Sequence, residues 1–177
     1  MEKSVSHLLR FAREEDVRMS EMTMVDVIEA ALDTFQDRIQ GLGVEIHKEL
    51  DSEGAMRGDP EKMRRVIINL FGNALDALEQ SRTPAPRVEI QAGENLAGTE
   101  VWVRIRDNGP GMEPEKVEKI FKPFYTSKAS GTGLGLAITK KLVDAHGGTI
   151  EAASEPGHGA EFVLTFPKSG SPAGASA

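Results

Sequence analysis

Two asparagines spaced one helical turn apart, Asn69 and Asn73, are the first side chains in this sequence whose types and spacing could do chemistry. On a helix both amides point the same way, so both can offer oxygens to one ion or phosphate group. Magnesium takes hard oxygen ligands and borrows most of them from phosphates and water, so one asparagine is enough. An isolated pair of this kind can equally be two surface asparagines, and context decides between the two interpretations.

A carboxylate and two glycines form the second candidate group, Asp107, Gly109 and Gly111. Asp107 ends an apolar run typical of a strand. A carboxylate only accepts hydrogen bonds, so it suits the exocyclic amino group of adenine, and the two glycines let the backbone approach the base closely. The alternative is an aspartate that closes its strand through an Asx turn.

A third group, Gly131, Gly133 and Gly135, lies at the start of a predicted helix at residues 134–146. Unhindered amides and the positive end of a helix can face a triphosphate there, and Thr132 can add a hydroxyl. No apolar strand leads into these glycines and no Gly-Lys-Ser/Thr follows them. The pattern is therefore neither a Rossmann fingerprint nor a Walker loop.

Residues 113–130 connect the second and third groups. Their Glu-Pro-Glu-Lys start predicts a short helix, and Phe121 and Phe124 are apolar anchors. Lys128, at the polar end, is the best candidate for a cation that contacts phosphate directly. Its alternative is an ordinary exposed lysine.

Helices and strands must position these groups, and the spacing of apolar residues predicts where they lie. Asp59 followed by Pro60 predicts the start of a helix at 60–80, with one apolar arc and a second arc of Arg65, Asn69, Asn73 and Asp76. The other predicted elements are a helix at 26–39, a strand at 44–50, an antiparallel hairpin around 88–90 and 101–105, and strands at 149–153 and 162–166. This order predicts an α/β two-layer sandwich, with helices covering one face of a mixed sheet.

Taken together, the four segments resemble the N, G1, F and G2 boxes of the catalytic, ATP-binding domain of bacterial sensor histidine kinases. That family is a branch of the GHKL superfamily with the Bergerat-type fold, and the chain is most similar to its nitrogen-sensor-like branch. The resemblance covers residues 24–167. The segments are Asn69-Leu-Phe-Gly-Asn73-Ala, Asp107-Asn-Gly109-Pro-Gly111-Met, Phe121-Lys-Pro-Phe124-Tyr-Thr-Ser-Lys128 and Gly131-Thr-Gly133-Leu134-Gly135-Leu136.

The resemblance implies ATP and Mg²⁺ as cofactors. It makes Asn73 the magnesium ligand, gives Asn69 a role in supporting the phosphates or bound water, and makes residues 113–130 a mobile lid. The catalytic residues it implies are Asn69, Asn73 and Lys128. The nucleotide-binding residues it implies are Asn69, Asn73, Asp76, Asp107, Gly109, Gly111, Phe121, Lys128, Gly131, Thr132, Gly133, Leu134, Gly135 and Leu136.

Two positions depart from the patterns of related families. ATP-hydrolysing relatives such as gyrase carry a glutamate general base at the position of Asn69, and an amide has no usable basicity near neutral pH. Phosphoryl transfer is therefore favoured over hydrolysis. Asp76 stands where many histidine kinases have a lysine or asparagine near the phosphates, which puts more weight on Lys128.

Histidine kinases phosphorylate a histidine of a dimerisation hairpin and pass the phosphate to a response regulator, so both are implied partners. His7 lies in a segment that only superficially resembles the phosphoacceptor box, because no acid follows it and no proline follows Arg10. We therefore expect residues 1–23 to be the end of the second hairpin helix and a linker. The expected catalytic domain is 24–168, and 169–177 is expected to be a disordered tail.

Bulk properties agree with one nucleotide-binding domain. The chain has 177 residues, a formal charge of −7 and no cysteine. An acidic surface argues against nucleic-acid binding, and no run approaches the roughly 20 apolar residues of a membrane helix. We expect a cytoplasmic domain without membrane contact. The alternatives are another GHKL protein kinase, of the anti-sigma or dehydrogenase-kinase type, and a regulator that binds nucleotide and transfers nothing.

Overall fold

The computed structural model of the protein describes residues 16–123, 125 and 135–170. The elements in chain order are β1 (Ser20–Thr23), α1 (Met24–Thr34), α2 (Gln36–Leu42), β2 (Glu45–Leu50), β3 (Ala55–Gly58), α3 (Pro60–Gln80), β4 (Arg87–Glu94), β5 (Glu100–Asp107), α4 (Pro114–Lys119), α5 (Gly135–Ala145), β6 (Thr149–Ser154) and β7 (Ala160–Pro167).

The larger sheet has five strands in the order β2-β4-β5-β7-β6. Strand β2 is parallel to β4, and the other neighbours are antiparallel, which confirms the predicted mixed sheet. Strands β4 and β5 form the predicted hairpin, with Glu94 opposite Val101 near the turn and Val88 opposite Asp107 at the far end. This register places Asp107 at the open end of the hairpin.

One face of this sheet carries the core. Along β5, Val103 and Ile105 are buried while Arg104 and Arg106 are exposed, as expected for a strand with one covered face. The buried strand residues share one core cluster with apolar residues of α1, α3 and α5, which confirms the two-layer sandwich. The predicted apolar arc of α3 is buried in this cluster: Met63, Val66, Ile67, Leu70, Ala74 and Leu78.

The single helix predicted for 26–39 is wrong, because Phe35 divides it into α1 and α2. Phe35 has φ −102° and ψ 9°, outside the helical range, and its ring packs on Phe71 of α3 with centroids 5.5 Å apart. This contact is distant in sequence and leaves no signal in the local pattern. The sequence also predicts that Gly41 and Gly43 end this helix; Gly41 lies within α2, whereas Gly43 ends it with φ 67°.

A second sheet of two strands, β1 and β3, was not predicted. The strands pair antiparallel, with Met22 opposite Met56 and both side chains buried. Four-residue strands within charged sequence are too short to show a clear period of two. Since β1 precedes residue 24, the paired structure begins before the expected domain boundary.

The terminal segments of the chain are described only in part. Residues 1–15, which include His7, lie outside the described residues, as does 171–177 of the expected tail. Lys168 and Ser169 form a turn, which closes where the Gly170 N–H donates to the Pro167 carbonyl at 3.0 Å. Gly170 also packs closely enough on Met19 that a side chain there would collide with it.

Helix α3 begins at a buried hydrogen-bonded junction around Asp59. Oδ1 of Asp59 accepts from the N–H groups of Glu61 at 3.1 Å and Lys62 at 3.2 Å, which confirms the predicted cap. Oδ2 accepts from the N–H of Arg18 at 2.9 Å. Burial alone would raise the pKa of Asp59, but these three backbone donors outweigh it and lower the pKa.

The same junction ties α3 to the end of α5 through His146, which is fully buried. The N–H of Asp59 donates to Nε2 of His146 at 3.0 Å, while Nδ1 lies 2.7 Å from the Leu142 carbonyl. These bonds assign the ring proton to Nδ1, because Nε2 must accept. His146 is thus a residue of the helix end, as its position before two glycines predicts.

We predict that Asp59→Asn destabilises the fold by about 1–2 kcal/mol near neutral pH, measured by urea unfolding. The amide keeps an acceptor for α3 but presents a donor to the Arg18 N–H. Because the folded-state pKa of Asp59 is lowered, the carboxylate's contribution is present above its usual value of 3.8 and is lost as the pH falls through the folded value.

The difference between the wild-type protein and Asp59→Asn should therefore shrink below about pH 4. Asp51→Asn, at an exposed aspartate, is the matched control and should change stability little. A difference that stays constant into the acid range would contradict the assigned role of the charge.

Candidate nucleotide site

The polar arc of α3 carries the first three candidate residues. Asn69, Asn73 and Asp76 are all half-buried, and their spacing of four and three residues keeps them on one side of the helix. The opposite arc lies in the core, so the orientation of these polar side chains is fixed by the packing of α3 against the sheet. The structure thus places the three residues together, as predicted.

Asn69 connects this arc to the first turn of α5. Its Nδ2 donates to Oγ1 of Thr139 at 3.1 Å and makes a longer contact of 3.4 Å with the Gly135 carbonyl. Thr139 is fully buried and donates to the same carbonyl at 2.9 Å. The amide nitrogen of Asn69 therefore faces α5, so the side-chain oxygen is the atom that can serve a ligand.

Asp107 lies at the end of β5 and is only 6% exposed. Its Oδ1 accepts from the N–H of Gly109 at 2.8 Å, so the Asx turn considered as an alternative is present. Burial raises the pKa of Asp107, and backbone bonds from Gly109 and Ala160 offset this only in part. A carboxylate has about four acceptor sites, so the turn and a role in ligand binding are compatible.

Both glycines after Asp107 are required by close contacts within the protein. A Cβ at Gly109 would lie 2.8 Å from Oδ1 of Asp107 and 3.6 Å from Cβ of Ala77 on α3. Gly111 has φ 73°, and a Cβ there would lie 2.0 Å from the Glu155 carbonyl oxygen. The sequence interpretation attributed these glycines to the approach of a base, whereas Gly111 also makes room for the neighbouring loop.

That loop, residues 155–159 between β6 and β7, holds the turn that contains Gly109 and Gly111. The sequence analysis did not predict this contact. Oγ of Ser154 accepts from the Met112 N–H at 2.8 Å and donates to the Gly159 carbonyl at 2.7 Å. The Gly157 N–H donates to the Pro110 carbonyl at 2.7 Å. The Gly-His-Gly spacing at 157–159 was the available signal, since both glycines have positive φ.

Gly159 is the tightest point of this contact. Its φ is 75°, and a Cβ there would lie 2.0 Å from the carbonyl oxygen of Asp107. The loop backbone therefore rests directly on the residue that the sequence nominates to read adenine. Asp107 is held from both sides, by its own turn and by the loop.

The connecting segment is described only near its start. After α4, the ring of Phe121 meets that of Phe162 in β7 edge to face, with centroids 6.2 Å apart, so Phe121 anchors the segment to the sheet. Gly135 begins α5 and Leu136 packs partly buried against the core. The predicted anchor Phe124 lies outside the described residues. So do five predicted site residues, Lys128, Gly131, Thr132, Gly133 and Leu134.

A basic side chain that the sequence analysis missed lies beside Asp76. Nη2 of Arg38, on α2, is 2.6 Å from Oδ1 of Asp76 and 2.8 Å from Oε2 of Glu79. Partial burial would lower the pKa of Arg38, but the hydrogen bonds that it donates to Glu79 and Asp76 outweigh this effect and raise the pKa. No helical or strand pattern in the sequence indicates that these residues meet.

Two features are absent from the described residues. No group of three or more His, Cys, Asp or Glu side chains suited to a metal ion occurs in 16–123, 125 and 135–170. Over the same residues, no helix has both the length and the apolar character that crossing a bilayer requires. A metal ion held by one asparagine and a nucleotide is compatible with the first result.

Comparison with known proteins identifies the family. Residues 58–170 match the family described as "Histidine kinase-, DNA gyrase B-, and HSP90-like ATPase". The chain belongs to this family. The match contains the whole of α3, the turn after Asp107 and α5, and it shows that this chain is an ATP-binding domain.

Its relatives are sensor histidine kinases. The signal transduction histidine-protein kinase AtoS of Escherichia coli (strain K12) is 34% identical over 166 residues, covering 93% of this chain and 26% of AtoS. The catalytic domain of histidine kinase ThkA, in a nucleotide-free form, superimposes with a TM-score of 0.76 at 30% identity, covering 86% of this chain and 97% of that domain. ThkA in complex with the response regulator protein TrrA gives a TM-score of 0.79 at 27% identity, covering 96% of this chain and 47% of that one.

These matches confirm the predicted fold class and family. The chain is a catalytic, ATP-binding domain of the two-component sensor histidine kinase type. It spans only a fraction of the length of its curated relatives, 26% in the case of AtoS.

We predict that Gly111→Ala destabilises the fold by more than 2 kcal/mol and weakens ATP binding. Positive φ alone costs about 1–2 kcal/mol for a residue with a Cβ, and here the new Cβ also meets the Glu155 carbonyl. Moving that carbonyl displaces the turn that orients Asp107. Urea unfolding and calorimetric titration with ATP are the two measurements.

Gly98→Ala is the matched control, because Gly98 has φ 68° and nothing lies within 4 Å of the position of its Cβ. It should show the backbone cost alone and leave ATP affinity unchanged. Equal losses of stability in the two variants would contradict the role assigned to the 155–159 loop.

Proposed function

We propose that this domain binds Mg·ATP and transfers the γ-phosphate to a histidine on the dimerisation hairpin of its parent kinase. The observation that carries the proposal is the pairing of a buried acceptor, Asp107, with the Asn69–Asn73 face of α3 in a histidine-kinase fold. The first suits an adenine and the second suits phosphates and a hard cation.

The proposed roles divide the site into a base end and a phosphate end. At the base end Asp107 accepts from the adenine amino group, while Gly109 and Gly111 shape the turn around it. At the phosphate end Asn73 binds Mg²⁺ and Asn69 supports the phosphates through its side-chain oxygen. The remaining phosphate contacts are proposed for Lys128 and the segment Gly131, Thr132, Gly133, Leu134, Gly135 and Leu136.

Transfer rather than hydrolysis follows from the chemistry of Asn69. Hydrolysis needs a base that removes a proton from water, and the amide of Asn69 cannot act as one. Its nitrogen is also committed to Thr139 in α5. A histidine acceptor brings its own nucleophilic imidazole, so the domain needs only to position the γ-phosphate and magnesium.

The partners follow from the same proposal. The dimerisation hairpin of the parent kinase supplies the acceptor histidine, and a receiver domain of a response regulator takes the phosphate onward through the full kinase. ThkA, whose catalytic domain shares this fold, has been solved with the response regulator protein TrrA, which supports a receiver domain as the second partner. We propose that the domain works in the cytoplasm, where ATP is available.

We predict that Asp107→Asn weakens ATP binding by about 10-fold to 100-fold. The amide presents a donor where the adenine amino group needs an acceptor, and a poorly paired buried polar contact costs about 1–3 kcal/mol. Competition between ATP and GTP for a fluorescent ATP analogue is the measurement. The wild-type protein should prefer ATP strongly, and similar affinities for the two nucleotides would remove Asp107 from its proposed role.

We predict that this domain alone binds ATP but turns it over very slowly and does not label itself. Adding the dimerisation hairpin of the parent kinase should produce acid-labile phosphate on the histidine of that hairpin, in a reaction that requires magnesium. Asn73→Ala should reduce this labelling at limiting magnesium. The readout is transfer from γ-labelled ATP.

His7→Ala is the control for the acceptor, because labelling should not depend on His7. Acid-labile labelling of the domain alone that disappears in His7→Ala would show that the N-terminal segment is itself the acceptor. ATP binding without transfer to the supplied hairpin would support the alternative of a nucleotide-binding regulator.

A further inference from the structure

An acidic residue in the phosphate end of the site needs an explanation. Asp76 follows Asn73 by three residues on the same side of α3, so its carboxylate lies one helical turn from the proposed magnesium ligand. A triphosphate carries several negative charges, and an exposed carboxylate beside it would oppose binding. Yet the side chain of Asp76 is 29% exposed rather than removed into the core.

Arg38 adds a positive charge beside Asp76 at the phosphate end of the site. Its Nη2 lies 2.6 Å from Oδ1 of Asp76 and 2.8 Å from Oε2 of Glu79, and its side chain keeps 33% exposure. Both contacts use the same nitrogen. A guanidinium has five N–H donors in a fixed plane, so Arg38 has donors beyond those directed at the two carboxylates.

The position of Arg38 is set by packing rather than by the ion pair alone. Phe35, one turn earlier in the chain, packs on Phe71 of α3, and a Cβ at Gly72 would lie 3.4 Å from the Phe35 ring. The Phe35 ring is thus in van der Waals contact with α3 at this point. The break after α1 and this ring contact place Arg38 beside Asp76, at the edge of the Asn69–Asn73 face.

We infer that Arg38 is a phosphate-binding residue of the nucleotide site, delivered from α2 and held in place by Asp76 and Glu79. The two carboxylates fix the orientation of the guanidinium, and the edge of the group that points away from them donates to the polyphosphate. The acid at position 76 then positions a cation instead of repelling the ligand. This inference rests on the proposed binding of Mg·ATP in the orientation given above.

The competing explanation is a structural ion pair that only joins α2 to α3. The two explanations differ in the effect expected from each partner. A structural pair loses the same interaction whichever partner is changed, so Arg38→Gln and Asp76→Asn should behave alike. A phosphate-binding arginine makes them differ, because Asp76→Asn removes a negative charge near the phosphates while Glu79 still holds Arg38.

The experiment measures dissociation constants of Mg·ATP, Mg·ADP and adenosine by calorimetry, with urea unfolding of every variant as a check on folding. We expect Arg38→Gln to weaken Mg·ATP binding at least fivefold, Mg·ADP less, and adenosine not at all. Asp76→Asn should bind Mg·ATP more tightly, because it removes a negative charge near the phosphates while Glu79 still holds Arg38. Lys48→Gln removes the same charge from a separate ion pair with Glu29, where Nζ and Oε1 are 3.0 Å apart, and should bind all three ligands like the wild-type protein.

Three results would overturn the inference. These are binding of Mg·ATP by Arg38→Gln as tight as by Lys48→Gln, a loss of adenosine affinity in Arg38→Gln as large as its loss of ATP affinity, and an equal loss of Mg·ATP affinity in Asp76→Asn. Failure of the proposed function is recognised separately, since it would appear as absent Mg·ATP binding by the unaltered chain. A kinetic readout with the hairpin, in which Arg38→Gln raises KM for ATP more than it lowers kcat, would support a binding role.

Discussion

The buried hydrogen-bonded junction at Asp59 is the interaction on which the rest of the structure depends. The carboxylate of Asp59 caps the start of α3 and also accepts from the N–H of Arg18, before β1. The backbone N–H of Asp59 donates to His146 at the end of α5. The two helices that bear the phosphate-end residues are thereby fixed to each other near one end, and Asn69 joins them again through Thr139. Two contacts along a pair of helices fix both their spacing and their rotation, which a single contact cannot do.

The base end of the site depends on the balance between the burial of Asp107 and the hydrogen bonds that its carboxylate accepts. Burial of Asp107 disfavours its charge, and the backbone donors around it recover only part of that cost, so its pKa stays raised. Such a carboxylate gains from any further donor that reaches it, and the amino group of a base is one. The 155–159 loop maintains this state by holding the turn closed against it, with Gly159 resting on its backbone. In the proposed site the loop thus contributes to recognition of the base although none of its side chains needs to touch the ligand.

The sequence predicted the parts of this structure that rest on local rules. The cap at Asp59, the apolar arc of α3, the β4–β5 hairpin and the glycine stop at Gly43 each follow from a few neighbouring residues. The break at Phe35, the β1–β3 pair and the contacts of Ser154 and the 155–159 loop with the turn after Asp107 depend on residues far apart in the chain, and no local pattern encodes them. The same holds for the site, where Asn69, Asn73 and Asp107 were nominated from motifs but Arg38 was not, because only the packing of α2 on α3 brings it there.

The two ends of the site are supported by separate parts of the fold, and this has a consequence for how the nucleotide is held. The adenine end rests on strand ends and a clamped turn, which are parts of the rigid sheet. The phosphate end rests on α3, the start of α5 and the α2 arginine, three helical elements joined by side-chain bonds such as Asn69 to Thr139 and Arg38 to Asp76. The half-exposed bond between Arg38 and Asp76 rearranges more easily than backbone bonds in a sheet, whereas the bond to the buried Thr139 keeps α3 and α5 together. In the proposed site the base is therefore held by the sheet, while Arg38 can follow the γ-phosphate as a histidine of an acceptor domain approaches it.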